Sequence, residues 1–131
     1  MEIVKRATGS DVLRIVDMVE ALREAVGGPI PVDRAWTSQT IAALCTGHDS
    51  AVWVSAGGFI AGSLQPTVIS PDLIAMEHGW FATDGTGLRL LRRFEAWARE
   101  RGATMVQLST GPSGLDLSRL GYRVAERAWI K

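Results

Sequence analysis

The chain has 131 residues, of which 47% are hydrophobic and 21% are charged, and its 14 basic and 14 acidic residues give a formal net charge of zero. This length suits a single domain over residues 1–131, and the balanced charge argues against a broad electrostatic grip on nucleic acid or on an anionic membrane. The one cysteine, Cys45, excludes an internal disulfide and a multi-cysteine metal site. Since the chain shows neither a secretory leader nor an apolar run of about 18 residues, we expect a cytoplasmic protein with no membrane partner.

The first third of the chain predicts one strand and two helices. Weak alternation over residues 2–7 favours a short strand, and Thr8 begins a sequence typical of a helix N-cap. Apolar residues then recur at steps of three and four until Gly27, which predicts a helix with one buried face. Asp33 is a candidate cap for a second helix, and Gly47 is the predicted left-handed stop at its C-terminal end.

The middle of the chain predicts three strands joined by turns. Residues 51–56 and 59–64 are typical of strands, and the glycine pair at 57–58 tolerates the positive φ angles that tight hairpins need. Pro66 lacks a backbone N–H and therefore predicts a bulge or a sheet edge. Residues 73–81 form the next predicted strand, which runs directly into a glycine-containing turn.

The last third contains the clearest helix of the sequence. Between Gly87 and Gly102, apolar residues cover one face and arginines cover the other. A strand over residues 104–109, a short helix over 115–120 and a final strand over 122–130 follow. The predicted order is β-α-α-β-β-β-α-β-α-β, an α/β (α+β) fold with a mixed, mostly antiparallel sheet of about six strands. Because the strand–helix–strand unit requires a parallel pair, helices should cover both faces of this sheet.

The turn between the predicted fourth strand and this helix has the sequence Asp84-Gly85-Thr86-Gly87-Leu88. A strand followed by Gly-x-Gly and a helix start leaves free backbone N–H groups that point at one place. The helix dipole adds partial positive charge there, so that an anion, above all a phosphate, is favoured. Taken alone, Gly-x-Gly fits a flexible turn without a ligand equally well.

The order of the elements and this turn resemble the GNAT family of acetyl-CoA-dependent N-acetyltransferases. The resemblance spans the whole chain and is most specific in two places. Residues 80–103 are similar to the family's acetyl-CoA motif, and Leu120-Gly121-Tyr122 is similar to its turn into the final strand. The helix sequence is also similar to that of small stand-alone members, some of them encoded by bacteriophages.

The resemblance implies transfer of an acetyl group from acetyl-CoA to a primary amine by direct attack. It implies that the pyrophosphate of acetyl-CoA binds the backbone amides of residues 84–88, with Arg89 as a further contact. The thioester end would lie against main-chain groups of the preceding strand, where one N–H forms an oxyanion hole. The implied cofactor-binding residues are Trp80, Phe81, Ala82, Asp84, Gly85, Thr86, Gly87, Leu88 and Arg89.

Acyl transfer to an amine also needs a base, because only the neutral amine is a nucleophile. The candidate is Glu77: many members carry a glutamate in this region, and a carboxyl group in a mostly apolar strand should have a raised pKa. An ion-paired structural glutamate is the alternative. His78 should face the opposite side of the sheet and is interpreted as structural. Ser118 and Tyr122 are the candidate acids for the departing thiolate. A water in their place, or departure of the thiolate without an acid, is the alternative, and packing is the alternative role for Tyr122.

Two departures from the family pattern keep a second hypothesis open. Ala82 stands where the motif has Gln or Arg, and the loop before Gly85 is shorter than usual, so that fewer amides can surround a pyrophosphate. Residues 116–118 contain no tyrosine where many members have one. The alternative is therefore a non-catalytic acyl-CoA-binding or assembly protein on the same fold.

The acceptor should be bounded by the first two helices, the loop over residues 27–31 and the later strands, with Trp36 and Trp53 as candidate lining residues. A small molecule and a protein amine both fit. The arginines of the third predicted helix could instead serve a nucleic acid, but zero net charge favours a solvated helix face. Five tryptophans in so short a chain can also support a homodimer.

Overall fold

A five-stranded sheet runs through the computed structural model, which describes residues 3–112 and 114–131. Neighbouring strands from β1 to β4 pair antiparallel, whereas β4 and β5 pair parallel. The strands are Lys5–Arg6 (β1), Ser50–Val54 (β2), Gly58–Thr67 (β3), Ser70–Ala82 (β4) and Met105–Gln107 (β5). The α-helices are Val12–Val26 (α1), Arg34–Thr46 (α2) and Gly87–Glu100 (α3), and 3₁₀ turns cover Gly9–Asp11 and Ser118–Leu120. The mixed, mostly antiparallel sheet is confirmed, while Glu2, where the first predicted strand begins, lies outside the described residues.

Helices cover both faces of the sheet, as predicted. On one face, α3 buries the side chains of its apolar stripe, among them Phe94 and Trp97, in one core cluster. On the other face, α1 and α2 contribute Ile15 and Ile41 to a second cluster. Trp53 belongs to the α3 cluster, with its ring centroid 6.0 Å from that of Trp97. It is therefore part of the core and not of an acceptor site.

Local hydrogen bonds explain where α1 and α2 begin and end. Asp11 Oδ2 accepts a bond from Thr8 N (2.9 Å), and Asp33 Oδ1 accepts one from Trp36 N (3.0 Å). α1 ends at Gly27, whose φ of 67° lies in the left-handed region. None of the helices in the described ranges has the length and apolar surface that a bilayer crossing requires.

The roles predicted for two groups of glycines are corrected by their backbone angles. Gly47 has a φ of −67°, so it is not a left-handed stop; a Cβ there would collide with Ser50 Oγ at the entry to β2. Gly57 and Gly58 form the hairpin between β2 and β3 as predicted, but neither has a positive φ. A Cβ at Gly57 would lie 2.9 Å from Thr83 Oγ1. Glycine is needed in these places because neighbouring side chains leave too little room for a Cβ atom.

The predicted sixth strand is not formed in the part of the chain that the structure describes. Residues 123–131 contain no strand, and Val124, Trp129 and Ile130 are between 81% and 85% exposed. Val124 and Ile130 alternate in the sequence and would share one face of a strand with Tyr122. Tyr122 packs against the α3-side core, whereas the residues after it are exposed, so alternation alone does not bring this segment onto the sheet. Pro66, in contrast, lies at a register shift between Gln65 and Thr67, which confirms its predicted bulge.

Candidate active site

β4 and β5 separate directly before Glu77. Their parallel ladder has three residue pairs, of which the last is Met76 with Gln107. β4 continues to Ala82, whereas β5 stops at Gln107. Within the described chain, residues 77–82 therefore have no strand partner on this side. Such an edge presents backbone N–H and C=O groups to which an extended ligand can hydrogen-bond.

Glu77 is the first residue beyond the paired part of this ladder. Its Oε1 accepts a hydrogen bond from Ser109 N (2.9 Å), which spans the gap between the separating strands. Burial raises the pKa of the Glu77 carboxyl group above its ordinary value, and the hydrogen bond from Ser109 offsets part of that rise. A carboxylate with a raised pKa is a stronger base, so this group can take a proton from an amine held in the opening.

A bulge in β4 lies next to Glu77. Ala61 of β3 pairs with Gly79 and Gly62 pairs with Glu77, so His78 has no partner among the described β3 pairs. A bulge inserts one residue into a strand and changes the face to which the following side chains point. The site is therefore built at an irregular point of the sheet, as is common for bulges beside functional sites.

The turn between β4 and α3 is organised by the carboxylate of Asp84. Its Oδ2 accepts hydrogen bonds from Gly57 N and Ser55 Oγ, both at 2.8 Å, which attach the turn to the β2–β3 hairpin. Its Oδ1 accepts bonds from Thr86 Oγ1 (2.6 Å) and Thr86 N (3.3 Å). These bonds, with that of the Thr86 hydroxyl first, lower the pKa of Asp84 to about 2. The φ of Gly85 is 78°, so a left-handed residue completes the turn.

The structure brings the predicted phosphate-binding residues together at the start of α3, but not all of their amides are free. Thr86 N is bonded to Asp84, and the first helical bond runs from Leu90 N to Thr86 O (2.9 Å). The N–H groups of residues 87–89 precede that bond and have no partner within the helix. They can hold an anion with the help of the helix dipole, whereas the negative charge of Asp84 opposes one.

The last three residues of β4 use their side chains for packing. The indole Nε1 of Trp80 donates to Gly87 O (3.0 Å), which ties β4 to the first turn of α3. Phe81 packs on the α1 and α2 side of the sheet, and Ala82 packs on the α3 side. Contacts with a thioester would therefore involve the main chain of these residues.

The two candidate acids lie in different surroundings. Tyr122 Oη donates to Glu95 Oε2 on α3 (2.7 Å), and its ring packs against the α3-side core. Burial, followed by the Glu95 carboxylate, raises the pKa of Tyr122, which fits the packing alternative. Ser118 is exposed at the start of the 3₁₀ turn that replaces the predicted helix over residues 115–120. Its N–H donates to Asp116 Oδ1 (2.9 Å), a local bond that favours a turn over a helix.

A groove lies on the face of the sheet that α1 and α2 cover, between α2 and the β3–β4 ladder. We call it the α2 groove. It encloses about 210 Å³. It is lined by side chains from α1, α2 and both strands, namely Val19, Trp36, Thr37, Thr40, Ile41, Leu44, Ala61 and His78. Trp36 was a predicted lining residue of the acceptor site, and its side chain is 70% exposed at this groove. His78 is interpreted from the sequence as structural, and the other lining residues are not predicted to form an acceptor site.

His78 reaches the α2 groove from the bulge in β4. Its Nε2 lies 2.7 Å from Ser63 Oγ, which also accepts a hydrogen bond from Gln65 Nε2 (3.0 Å). Partial burial lowers the pKa of His78, which favours a neutral imidazole at physiological pH. The residue predicted to be structural is thus hydrogen-bonded and also faces a groove next to Glu77.

Comparisons with known proteins support the fold. No protein-family model matches the chain, and no curated protein matches it by sequence. By structure, the chain is similar to a predicted acetyltransferase with acetyl-CoA from Clostridium acetobutylicum, with a TM-score of 0.79, 13% identity and coverage of 98% of this chain and 93% of that one.

Two further solved structures are similar over most of both chains. A putative acetyltransferase from an Arthrobacter species has a TM-score of 0.69 and 22% identity, with 92% of this chain and 82% of that one covered. An aminoglycoside acetyltransferase from an uncultured soil metagenomic sample, in complex with sisomicin, has a TM-score of 0.65 and 16% identity, with 98% and 91% covered. At these identities the similarity shows the fold, which is the GNAT-like acetyltransferase fold.

Proposed function

We propose that this chain is an N-acetyltransferase that moves an acetyl group from acetyl-CoA to a primary amine. The observation that carries the proposal is the opening between β4 and β5, with Glu77 where the strands separate and the α3 N-terminus where β4 ends. The similarity to solved acetyltransferases, one of them described with acetyl-CoA, supports the same reaction.

Acetyl-CoA would lie along the open edge of β4. At about 3.3 Å per residue, residues 77–82 offer roughly 16 Å of strand for the extended pantetheine arm. The pyrophosphate would meet the amides of residues 87–89, close to the exposed side chain of Arg89. One main-chain N–H near Trp80 would donate to the thioester oxygen and stabilise the negative charge that develops there.

The reaction is a direct acyl transfer. The neutral amine attacks the thioester carbonyl carbon, a C–N bond forms, and the C–S bond breaks with its electron pair leaving on the sulfur of CoA. The proton that the nitrogen loses passes to Glu77. The thiolate then takes a proton from solvent, either directly or by relay through the Ser118 hydroxyl, which is reprotonated by solvent, and this gives the N-acetyl amide and free CoA.

Asp84 favours a second candidate function, a non-catalytic acyl-CoA-binding or assembly protein on the same fold. Its carboxylate occupies Thr86 N and places a negative charge beside the proposed pyrophosphate site. The cofactor would then be held less tightly than a longer, uncharged loop would hold it.

Calorimetry with acetyl-CoA, combined with amine-dependent release of CoA, separates these functions. The variant Glu77→Gln keeps an oxygen for the Ser109 N–H but cannot accept a proton from the amine. The proposal expects micromolar binding by both proteins and a decrease in turnover of about 10²–10⁴-fold in the variant. Binding without turnover of any primary amine would favour the second candidate. Unchanged turnover in Glu77→Gln would remove Glu77 as the base, and no binding at millimolar acetyl-CoA would exclude both functions.

A further inference from the structure

The α2 groove identifies a class of acceptor, an inference that rests on the function proposed above. We infer that the acceptor is a small monoamine with an apolar body, which lies in the α2 groove with its amino group toward the bulge in β4. Polyamines, aminoglycosides and lysine-rich peptides are then poor acceptors. Four properties of the groove point to this class of acceptor, namely its size, its walls, its charge and its polar groups.

The size of the groove limits the acceptor. Its volume of about 210 Å³ is below the roughly 300–1,000 Å³ of pockets that hold drug-sized ligands. One ring, or a short branched chain, with an aminoalkyl arm fits such a space. A trisaccharide would lie mostly outside the groove.

The walls of the groove are apolar. Val19 of α1, Leu44 of α2 and Ala61 of β3 contribute aliphatic surface. The indole of Trp36 stands at the groove with most of its surface exposed to water. An apolar body placed against this indole removes apolar surface of both partners from water, which favours binding.

The lining of the groove offers a second ammonium group no opposite charge among the described residues. Among the described residues that line it, none carries a charge when His78 is neutral. The acidic residues of α1 nearest in sequence to Val19 are Asp17 and Glu20. Both form ion pairs with Arg34 of α2, and Asp17 Oδ1 lies 2.8 Å from Arg34 Nη2. A single amine can lose its proton to Glu77, but a second ammonium group would have no carboxylate partner in the groove.

The polar side chains of the groove can hydrogen-bond to the amino group of the acceptor. His78 follows Glu77 directly in β4, so its imidazole, which lines the groove, belongs to the residue next to the proposed base. Ser63 engages Nε2 of the ring, which leaves Nδ1 as the ring nitrogen available to a ligand. The hydroxyl groups of Thr37 and Thr40 and the indole N–H of Trp36 are the other hydrogen-bonding groups of the lining side chains.

Binding to the groove can be measured without turnover. Phenethylamine and spermidine are each titrated into the ¹⁵N-labelled protein, and the indole N–H signal of Trp36, assigned with Trp36→Phe, is followed by NMR. We expect a saturable shift with phenethylamine and none with spermidine at equal concentration. No shift with phenethylamine, or an equal shift with spermidine, would overturn the inference.

A charge placed in the groove gives a second, matched test. Thr40→Lys adds an ammonium group to the lining, and Gln39→Lys adds the same group at the neighbouring exposed position of α2, outside the lining. We expect Thr40→Lys to weaken phenethylamine binding about tenfold or more, with Gln39→Lys and the acetyl-CoA affinity of both variants unchanged. Equal effects of the two substitutions would show that the groove does not hold the amine.

Turnover separates this inference from the proposed function. With acetyl-CoA present, kcat/KM for phenethylamine should exceed that for spermidine about tenfold or more. Acetyl transfer that prefers spermidine would overturn the acceptor class and leave the N-acetyltransferase standing. Saturable groove binding without acetyl transfer to any amine would support the groove and contradict the enzyme.

Discussion

The burial that makes Glu77 a stronger base also makes its charge costly to the fold. A carboxyl group whose pKa is raised on folding contributes stability below its ordinary pKa of 4.5, and that contribution is lost as the pH rises through the folded-state pKa. Glu77→Gln removes this dependence and keeps an acceptor for Ser109 N. The stability of the wild type minus that of the variant should therefore fall between acidic and neutral pH.

Urea unfolding of both proteins over this pH range measures the difference. At neutral pH we expect the variant to be at least as stable as the wild type, although it has lost its turnover. A variant that is clearly less stable at neutral pH would mean that the Glu77 carboxylate stabilises the fold, as the structural alternative holds.

The charge of Asp84 has the opposite effect on how stability depends on pH. Its four hydrogen bonds lower the pKa from 3.8 to about 2, so the stability it contributes is present above 3.8 and is lost as the pH falls toward 2. Asp84→Asn should be less stable than the wild type at neutral pH, and the two unfolding midpoints should converge as the pH is lowered through this range. Midpoints that stay equally far apart at pH 7 and near pH 2 would contradict a role for the charge.

At the level of elements, the N-terminus of α3 is the proposed pyrophosphate site, and the Asp84 carboxylate lies beside it. Removing the charge of Asp84 while keeping its shape should strengthen acetyl-CoA binding by about two- to fivefold at low salt, the usual size of a charge effect at a helix end. Calorimetry of Asp84→Asn with acetyl-CoA measures this. Weaker binding would show that the hydrogen bonds of Asp84 shape the site more than its charge opposes the pyrophosphate.

The contact between β3 and α3 offers a test of the packing that positions this helix. A Cβ at Gly62 would lie 2.5 Å from Phe94 Cζ and 2.5 Å from Met76 O, whereas a Cβ at Gly9 would have no atom within 4 Å. Gly62→Ala should lose about 1–3 kcal/mol of unfolding free energy through overpacking. Gly9→Ala, the matched control, should stay within about 0.5 kcal/mol of the wild type. Equal stabilities in chemical denaturation would contradict the close packing of α3 on β3.

For the whole molecule, the sequence predicted the fold where local and global signals agree. Periodicity predicts the apolar stripe of α3, and side chains that can accept hydrogen bonds predict the N-terminal sequences at Thr8 and Asp33. The missing N–H of Pro66 predicts the bulge in β3. The sixth strand and the angles of Gly47 and Gly57 could not be predicted in this way. Their conformations depend on which segments approach one another, and spacing along the chain does not show that.

The same division applies to the site. Glu77 and the turn at residues 84–88 could be proposed from the sequence, because both belong to one strand and the turn that follows it and both match the GNAT resemblance. Ser55 and Ser109 could not, because one belongs to the β2–β3 hairpin and the other contributes only a backbone N–H. The α2 groove is assembled from two helices and two strands, and of its lining residues the sequence predicts only Trp36 for an acceptor site.

The central claim is that the opening between β4 and β5 supports acetyl transfer with Glu77 as the base. The most direct test is mass spectrometry of amines incubated with the protein and acetyl-CoA that carries a deuterated acetyl group. The amines are phenethylamine, spermidine and a lysine peptide. We predict a deuterated N-acetyl amide with the wild type, formed about 10²–10⁴-fold faster than with Glu77→Gln. Bound acetyl-CoA without any labelled amide, or equal rates for the two proteins, would contradict this claim.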